Sequence, residues 1–282
     1  MNDVKKMLAN YFDKDDINKL FENLENKKRN IIMNDSYFAK ISVRENTLFC
    51  SKFINEINLY EKNKTIDSFP KMVNSLINKK YCLLILHKIN LKTIGNNRND
   101  FDVRLSKKNR MLIIDKILEI KNIKVNFELD NSYSREEKLN NYFFKSQKYI
   151  SRYTQNKIEK YKKSICKEKY DRVLSHGDLI STNIMLDNNE VYFLDWEYVS
   201  LKPRYYDLAY FLLFTKTNNS LDILNNVNNS DLDIKEIYKD GIILCLKEIQ
   251  DNAKLYGIIN DKIVDKNIER WKRELNRMLR FL

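Results

Sequence analysis

Apolar residues in the first ninety positions fall mostly into short runs. Residues 30–33 and 36–43 (SYFAKISV) flank Asn34-Asp35, a turn-forming pair, and the pattern predicts a β-hairpin. Over residues 52–62 the period changes: Phe53, Ile54, Ile57 and Tyr60 recur at helical spacing. Residues 72–77 and 81–86 are two further apolar segments, the second reading as a buried strand. From Asn90 on, helical periodicity takes over. One helix is expected over 112–120. A single long one is expected over 134–165, with Leu139, Tyr142, Phe143, Ile150, Tyr153 and Ile158 turned to the core. Residues 191–194 alternate as a short strand that ends at Asp195. Residues 234–249 and 263–282 are amphipathic, with Ile268, Trp271, Leu275, Met278 and Leu282 on one stripe. The Asn-rich stretch 218–230 reads as a loop. The expected class is α+β: a mixed N-terminal lobe over residues 1–89 and a mainly helical C-terminal lobe over 90–282, meeting at a hinge near His87.

Composition narrows the function classes. The chain has 282 residues, of which 43% are apolar, with only 4 glycines and 2 prolines, so collagen-like and linker-rich classes are excluded. Its net charge of +12 is spread along the sequence, and the short runs Lys27-Lys28-Arg29, Lys107-Lys108 and Lys162-Lys163 are interrupted by other residues. That pattern fits a lysine-rich surface favouring anionic ligands better than a dedicated nucleic-acid face, so no specific nucleic-acid partner is expected. Cys50, Cys82, Cys166 and Cys245 are widely separated, and neither a disulfide framework nor a zinc site is indicated. The first residues, MNDVKKMLANYFDKDD, lack the apolar core of a signal peptide, and the longest apolar runs are too short to cross a bilayer. A cytoplasmic protein without membrane insertion is the expectation, as a monomer or a dimer.

The chemistry is concentrated in LSHGDLISTNIMLDNNEVYFLDWEYVS, residues 174–200. Asn183 follows Asp178 by five positions, and Asp195 closes a strand before Trp196. Phosphoryl transfer to an alcohol requires a carboxylate that orients the hydroxyl and accepts its proton, together with oxygen ligands for Mg²⁺ near the same phosphate. Asp178 suits the catalytic base. Asn183 offers a neutral oxygen to the metal and Asp195 an anionic one, the mixture a hard cation favours. His176 reads as a structural brace of this loop. The spacing predicts an ATP-dependent small-molecule kinase using ATP and Mg²⁺.

HGDLISTN, FLDWEYVS and YYDLAYF together resemble the aminoglycoside phosphotransferase and choline kinase superfamily, which has a protein-kinase-like two-lobed fold. The D-W-E-Y form at Asp195–Tyr198, with D-L-A at Asp207–Ala209, is most similar to the bacterial choline/ethanolamine kinase branch and to thiamine kinase. The resemblance implies an antiparallel sheet with a helix in the N-lobe and a mainly helical C-lobe. It also implies that Lys40, in a strand, pairs the nucleotide phosphates and is held by Glu56 on the following helix, with Glu61 a weaker substitute. A phosphate-covering hairpin is expected within residues 21–32, a stretch with no glycine, where Lys27, Lys28 and Arg29 could add charge. The adenine-binding hinge falls at residues 84–89. Asp207 is expected to tie the catalytic loop together through backbone hydrogen bonds.

For the acceptor, a protonated or quaternary amine is recognised by aromatic faces with a carboxylate nearby. Tyr198 matches an aromatic wall position of choline kinases, and Glu197 serves the metal or the amine. Tyr205, Tyr206, Tyr210 and Trp271 are further aromatic candidates, Trp271 reading more strongly as core. Two departures bear on choline itself: Phe214 stands near a position where eukaryotic choline kinases carry Glu, and the later helix GIILCLKEI has no Trp. An aminoglycoside kinase would need clustered acids beyond Asp207, and Asp222, Asp231, Asp233 and Glu236 are the main ones. The expected function is transfer of the ATP γ-phosphate to a small amine alcohol, choline or ethanolamine first. Thiamine and aminoglycosides are the alternative acceptors, and a pseudokinase or binding scaffold is the alternative of another class.

Overall fold

The structure, a computed structural model, describes residues 2–27, 29–44, 48–63, 66–97, 103, 105–125, 127–187, 190–215 and 232–282. The expected loop at 218–230, with Asp222 and Asp231, lies outside these residues, as does Lys28. The chain divides into two compact units drawn from interleaved stretches: Met1–Asn96, Lys124–Leu129 and Thr182–Val199 form one, and Asn97–Ile123, Asp130–Ser181 and Ser200–Leu282 form the other.

The first unit is a sheet between two layers of helix. Strands β1 (Arg29–Met33), β2 (Tyr37–Val43), β3 (Met72–Ile77) and β4 (Tyr81–His87) are all antiparallel, in the order β1-β2-β4-β3. The β1–β2 turn forms at Asn34-Asp35 as its sequence predicts. The Asn34 Oδ1 accepts from the backbone N–H groups of Ser36 and Tyr37, and its Nδ2 donates to the Tyr11 carbonyl. Alternation along the strands gives the sheet two different faces. Ile32, Ala39, Ile41, Tyr81, Leu83 and Ile85 share one apolar cluster with helices α1 (Asn2–Leu8) and α2 (Lys14–Lys27). On the other face, Lys40 lies opposite Leu84 and Ser42 opposite Cys82, and helix α3 (Leu48–Lys62) brings Cys50 within 4.0 Å of Cys82. A second hairpin in this unit pairs Ile184–Asp187 with Glu190–Phe193.

Two expectations fail here. Residues 21–27 form no part of a hairpin: they complete α2, because Ile17, Leu20, Phe21 and Leu24 occupy one helical face and bury it against the sheet. The N-terminal lobe therefore carries α1 and α2 in addition to the one helix the pattern suggested.

The second unit is built on helices α4 (Lys107–Ile120), α5 (Arg135–Ser146), α6 (Arg152–Cys166), α7 (Tyr206–Phe214), α8 (Ile234–Ala253) and α9 (Asp261–Met278), with a short ribbon pairing Val173–Ser175 and Ser200–Lys202. Helix α7 is apolar on every side and buried throughout. The single helix expected over 134–165 is broken. A 3-10 turn at Gln147–Tyr149 ends α5, and the Ser151 hydroxyl caps α6 by accepting from the Thr154 N–H. The Gln155 amide fixes the corner by donating to the carbonyls of Gln147 and Ile150. The break shifts the helical phase, so Leu139, Phe143, Ile150 and Ile158 are buried while Tyr153 is 67% exposed. Helix α8 buries nearly its whole circumference because its charges are paired internally. Arg135 donates to both oxygens of Asp240 (2.8 and 2.9 Å) and to Glu236 (2.6 Å), and Lys239 also donates to Glu236. On α9 the stripe Ile268, Trp271, Leu275 and Met278 is buried as the sequence predicts, with Leu282 half-buried beyond it.

Candidate active site

In the first unit, β2, α3 and the turn after the second hairpin converge on one charged cluster. The Lys40 ammonium lies 2.7 Å from Glu56, 2.7 Å from Asp195 and 2.9 Å from Glu197. A lysine inside a buried strand requires such partners. Burial works against its charge, but Glu56, Asp195 and Glu197 outweigh that cost and hold its pKa above the ordinary lysine value. Burial pushes the Glu56 carboxyl up to about 7 against the opposing pull of Lys40. At Asp195 the balance reverses: burial alone would raise its pKa, but Lys40 and Arg29 hold it below the usual carboxylate value. Glu61, the weaker substitute, bonds instead to the Ser75 hydroxyl.

Local backbone geometry presents Asp195. Among the described residues it alone, apart from glycines, has positive φ (62°), a conformation Asp tolerates through its short polar side chain. The Trp196 indole donates to the Phe193 carbonyl, and the Trp196 backbone N–H donates to Glu56, so the turn is fastened on both sides. Asn183 opens the hairpin that leads to this turn; its carbonyl accepts from the Leu194 N–H at 2.9 Å. Glu56, Asp195 and Glu197 each bring one oxygen within 4.8 Å of the others. Asp195 is the accessible member, its side chain 42% exposed against 4% for Glu197 and 2% for Glu56. This all-oxygen donor set fits a hard divalent cation such as Mg²⁺. Tyr198 is 43% exposed, and the Lys52 ammonium sits 4.2 Å from its ring centroid.

In the second unit, Asp207 in the first turn of α7 organises the His176-Gly177-Asp178 loop. Its carboxylate accepts from the Ser175 hydroxyl (2.8 Å) and from the backbone N–H groups of His176 (2.6 Å) and Gly177 (3.0 Å). Gly177 has φ 83°, a conformation that strains any residue with a Cβ. The buried His176 accepts the Asp178 N–H at Nδ1 (3.3 Å). The Asp178 carboxylate accepts from the Tyr210 hydroxyl at 2.7 Å. Lys202 reaches the Gly177 carbonyl at 3.3 Å, with its ammonium 4.2 Å from the Tyr206 ring centroid. Burial pushes the pKa of Lys202 down to about 8, and the nearby Asp207 and Asp178 carboxylates oppose that shift. Tyr206 is buried against Tyr133 and Tyr210. Trp271 is fully buried, packed on Phe214 with the Arg270 guanidinium over its ring.

Within the first unit, then, Lys40, Glu56, Asp195 and Glu197 come together; within the second, His176, Asp178 and Asp207 do. Trp271 stands in the core, apart from either group's hydrogen bonds. Tyr210, Arg29 and Lys202 acquire in three dimensions partners that their sequence positions do not specify. Tyr210 lies one helical turn after Asp207, a spacing that puts both on one face of α7. Lys202 and Arg29 carried no sequence signal beyond their charge.

A protein-family model described as choline/ethanolamine kinase matches residues 71–264. Among curated proteins, a LicA homolog of Mycoplasma capricolum is 26% identical over 83 residues, a match covering 28% of this chain and about a third (35%) of that relative's length. Among solved structures, a choline/ethanolamine kinase family protein from Mesorhizobium loti superposes with a TM-score of 0.63 at 10% identity, over 90% of this chain and 88% of its own. A thermostable mutant of the aminoglycoside phosphotransferase APH(4)-Ia, in ternary complex with ADP and hygromycin B, superposes with a TM-score of 0.58 at 9% identity, over 93% and 97% of the two chains. Both likenesses are of fold, and that fold is kinase-like.

Proposed function

Because the chain belongs to the choline/ethanolamine kinase family, we propose that it is a small-molecule kinase that transfers the ATP γ-phosphate to the hydroxyl of a small cationic amino alcohol, choline or ethanolamine, in the cytoplasm. The observation that carries this reading is the buried Lys40, held by Glu56 and touching Asp195. A scaffold gains nothing from gathering five charges around one another, three of them buried, whereas phosphoryl transfer needs a fixed ammonium beside carboxylates that take a metal.

In this reading residues 1–89 bind the nucleotide, Lys40 faces its phosphates, and the helices after residue 90 bind the acceptor. Asp195 and Asn183 would hold Mg²⁺, with Glu197 at hand. The ion when bound supplies charge neutralisation at the phosphate oxygens. Asp178 orients the acceptor hydroxyl and takes its proton on a carboxylate oxygen, while Tyr210 fixes that carboxylate's direction and His176 braces the Asp178 backbone. Asp207 positions the loop and touches no substrate. Tyr198 supplies a cation-binding aromatic face, a capacity it already exercises toward Lys52. Tyr206 lines the same half of the molecule as Asp178. Trp271 supports α7 from the core and is the weakest of the acceptor candidates.

Of the four acids weighed for an aminoglycoside site, the two that are described support a small acceptor instead. Glu236 is buried with Arg135 and Lys239, and Asp233 caps α8 and pairs with Lys169, so neither is offered to a polycation. An ATP-consumption screen over choline, ethanolamine, thiamine and kanamycin tests the proposal. Turnover with choline or ethanolamine is expected. Turnover with kanamycin alone would transfer the protein to the antibiotic kinases, and none with any acceptor would favour the scaffold.

A further inference from the structure

Resting on the kinase reading above, the geometry points to Arg29 as a residue that exchanges partners: its guanidinium neutralises the metal-binding carboxylates when no nucleotide is present and binds phosphate oxygens when nucleotide is present. Three features of this chain lead there. The first is an unmet need. No glycine occurs before Gly95, and α2 runs to Lys27 with β1 starting at Arg29, so the described residues offer no glycine hairpin whose backbone N–H groups could cradle phosphates. Side-chain donors have to do that work.

The second is placement. Arg29 pairs with Ser42 and Ile31 pairs with Lys40 in the β1–β2 register, so Arg29 and Lys40 project from the same face of the sheet. Arg29 forms a close ion pair with Glu197 and lies 3.8 Å from Asp195, the same two carboxylates that Lys40 contacts.

The third is charge and freedom. Two cations, Arg29 and Lys40, face three carboxylates, Glu56, Asp195 and Glu197. A divalent cation entering beside Asp195 is repelled by both, so one of them must yield. Lys40 has a side-chain exposure of 4% and three carboxylate partners, whereas Arg29 is 27% exposed at the first residue of an edge strand. Arg29 is the cation able to withdraw, and its planar fork suits phosphate oxygens.

The test is calorimetric binding to the full chain, comparing wild type with Arg29→Gln and Arg29→Lys. The probes are Mg²⁺–ADP, adenosine, and Mn²⁺ alone. Losing a charged fork should weaken Mg²⁺–ADP by about tenfold or more in Arg29→Gln. Mn²⁺ binding to the nucleotide-free protein should tighten, by roughly threefold or more, because a competing cation is gone. Adenosine affinity should stay within about twofold of wild type, which also certifies that the variant is folded. Arg29→Lys should restore the wild-type Mn²⁺ affinity while regaining only part of the ADP affinity. Changes of opposite sign for ADP and Mn²⁺ are the signature of exchange. Unchanged ADP affinity, or parallel weakening of ADP and Mn²⁺, would overturn the exchange and leave the kinase reading standing. A wild-type protein that binds neither ligand would overturn both.

Discussion

Lys202 shows how a single side chain can report on the His176-Gly177-Asp178 loop. It stands beside Gly177 and Tyr206, near the carboxylates of Asp178 and Asp207. Its folded pKa is lowered to about 8, while an unfolded chain keeps the proton to about 10.4. Between those values the unfolded state holds a proton that the folded state has released, so stability should rise as pH rises through that window. Urea unfolding from pH 7 to 10.5 should show this gain, about 3 kcal/mol, in wild type and not in Lys202→Met. Parallel curves for the two proteins would mean that Lys202 keeps its proton in the fold. None of this could be read from the sequence, where Lys202 is one of 51 basic residues. Asp178, Asn183 and Asp195 stood out as candidates because the chemistry proposed for them depends on spacing along the chain. The partners of Arg29 and Tyr210 carried no such signal, because strand register and helix phase set them.

At the level of elements, the same contrast holds. The hairpin through Asn34-Asp35 and the strands at 72–77 and 81–87 were legible, since alternation and turn residues are local signals. The apolar face of α2 was equally visible in Ile17, Leu20, Phe21 and Leu24, yet the expected phosphate hairpin overrode it. The break between α5 and α6 had little to announce it: residues 146–151 contain neither Gly nor Pro. A serine hydroxyl makes the new start instead. Ser151→Ala should therefore cost about 1 kcal/mol of stability, read as a lower urea midpoint with unchanged slope. An unchanged midpoint would show that the corner is held by Gln155 alone.

Over the whole molecule, the chain divides into a sheet-based unit and a helical unit, and the partition is not a single cut. Residues 182–199, which carry Asn183 and Asp195, fold with the N-terminal sheet, while Asp178 folds with the helices. The chain crosses from one unit to the other within the motif itself. Among the described residues no helix is long and apolar enough to cross a membrane. The net charge of +12 is consistent with attraction of an anionic nucleotide.

The most direct test of the central claim is ³¹P NMR of the reaction mixture with ATP, Mg²⁺ and choline or ethanolamine, run side by side for wild type and Asp178→Asn. Wild type should yield a phosphomonoester of the amino alcohol together with ADP, and the variant should form it slower by about a hundredfold or more while still binding ADP. Equal rates in the two proteins, or ADP without any phosphorylated acceptor, would contradict the account.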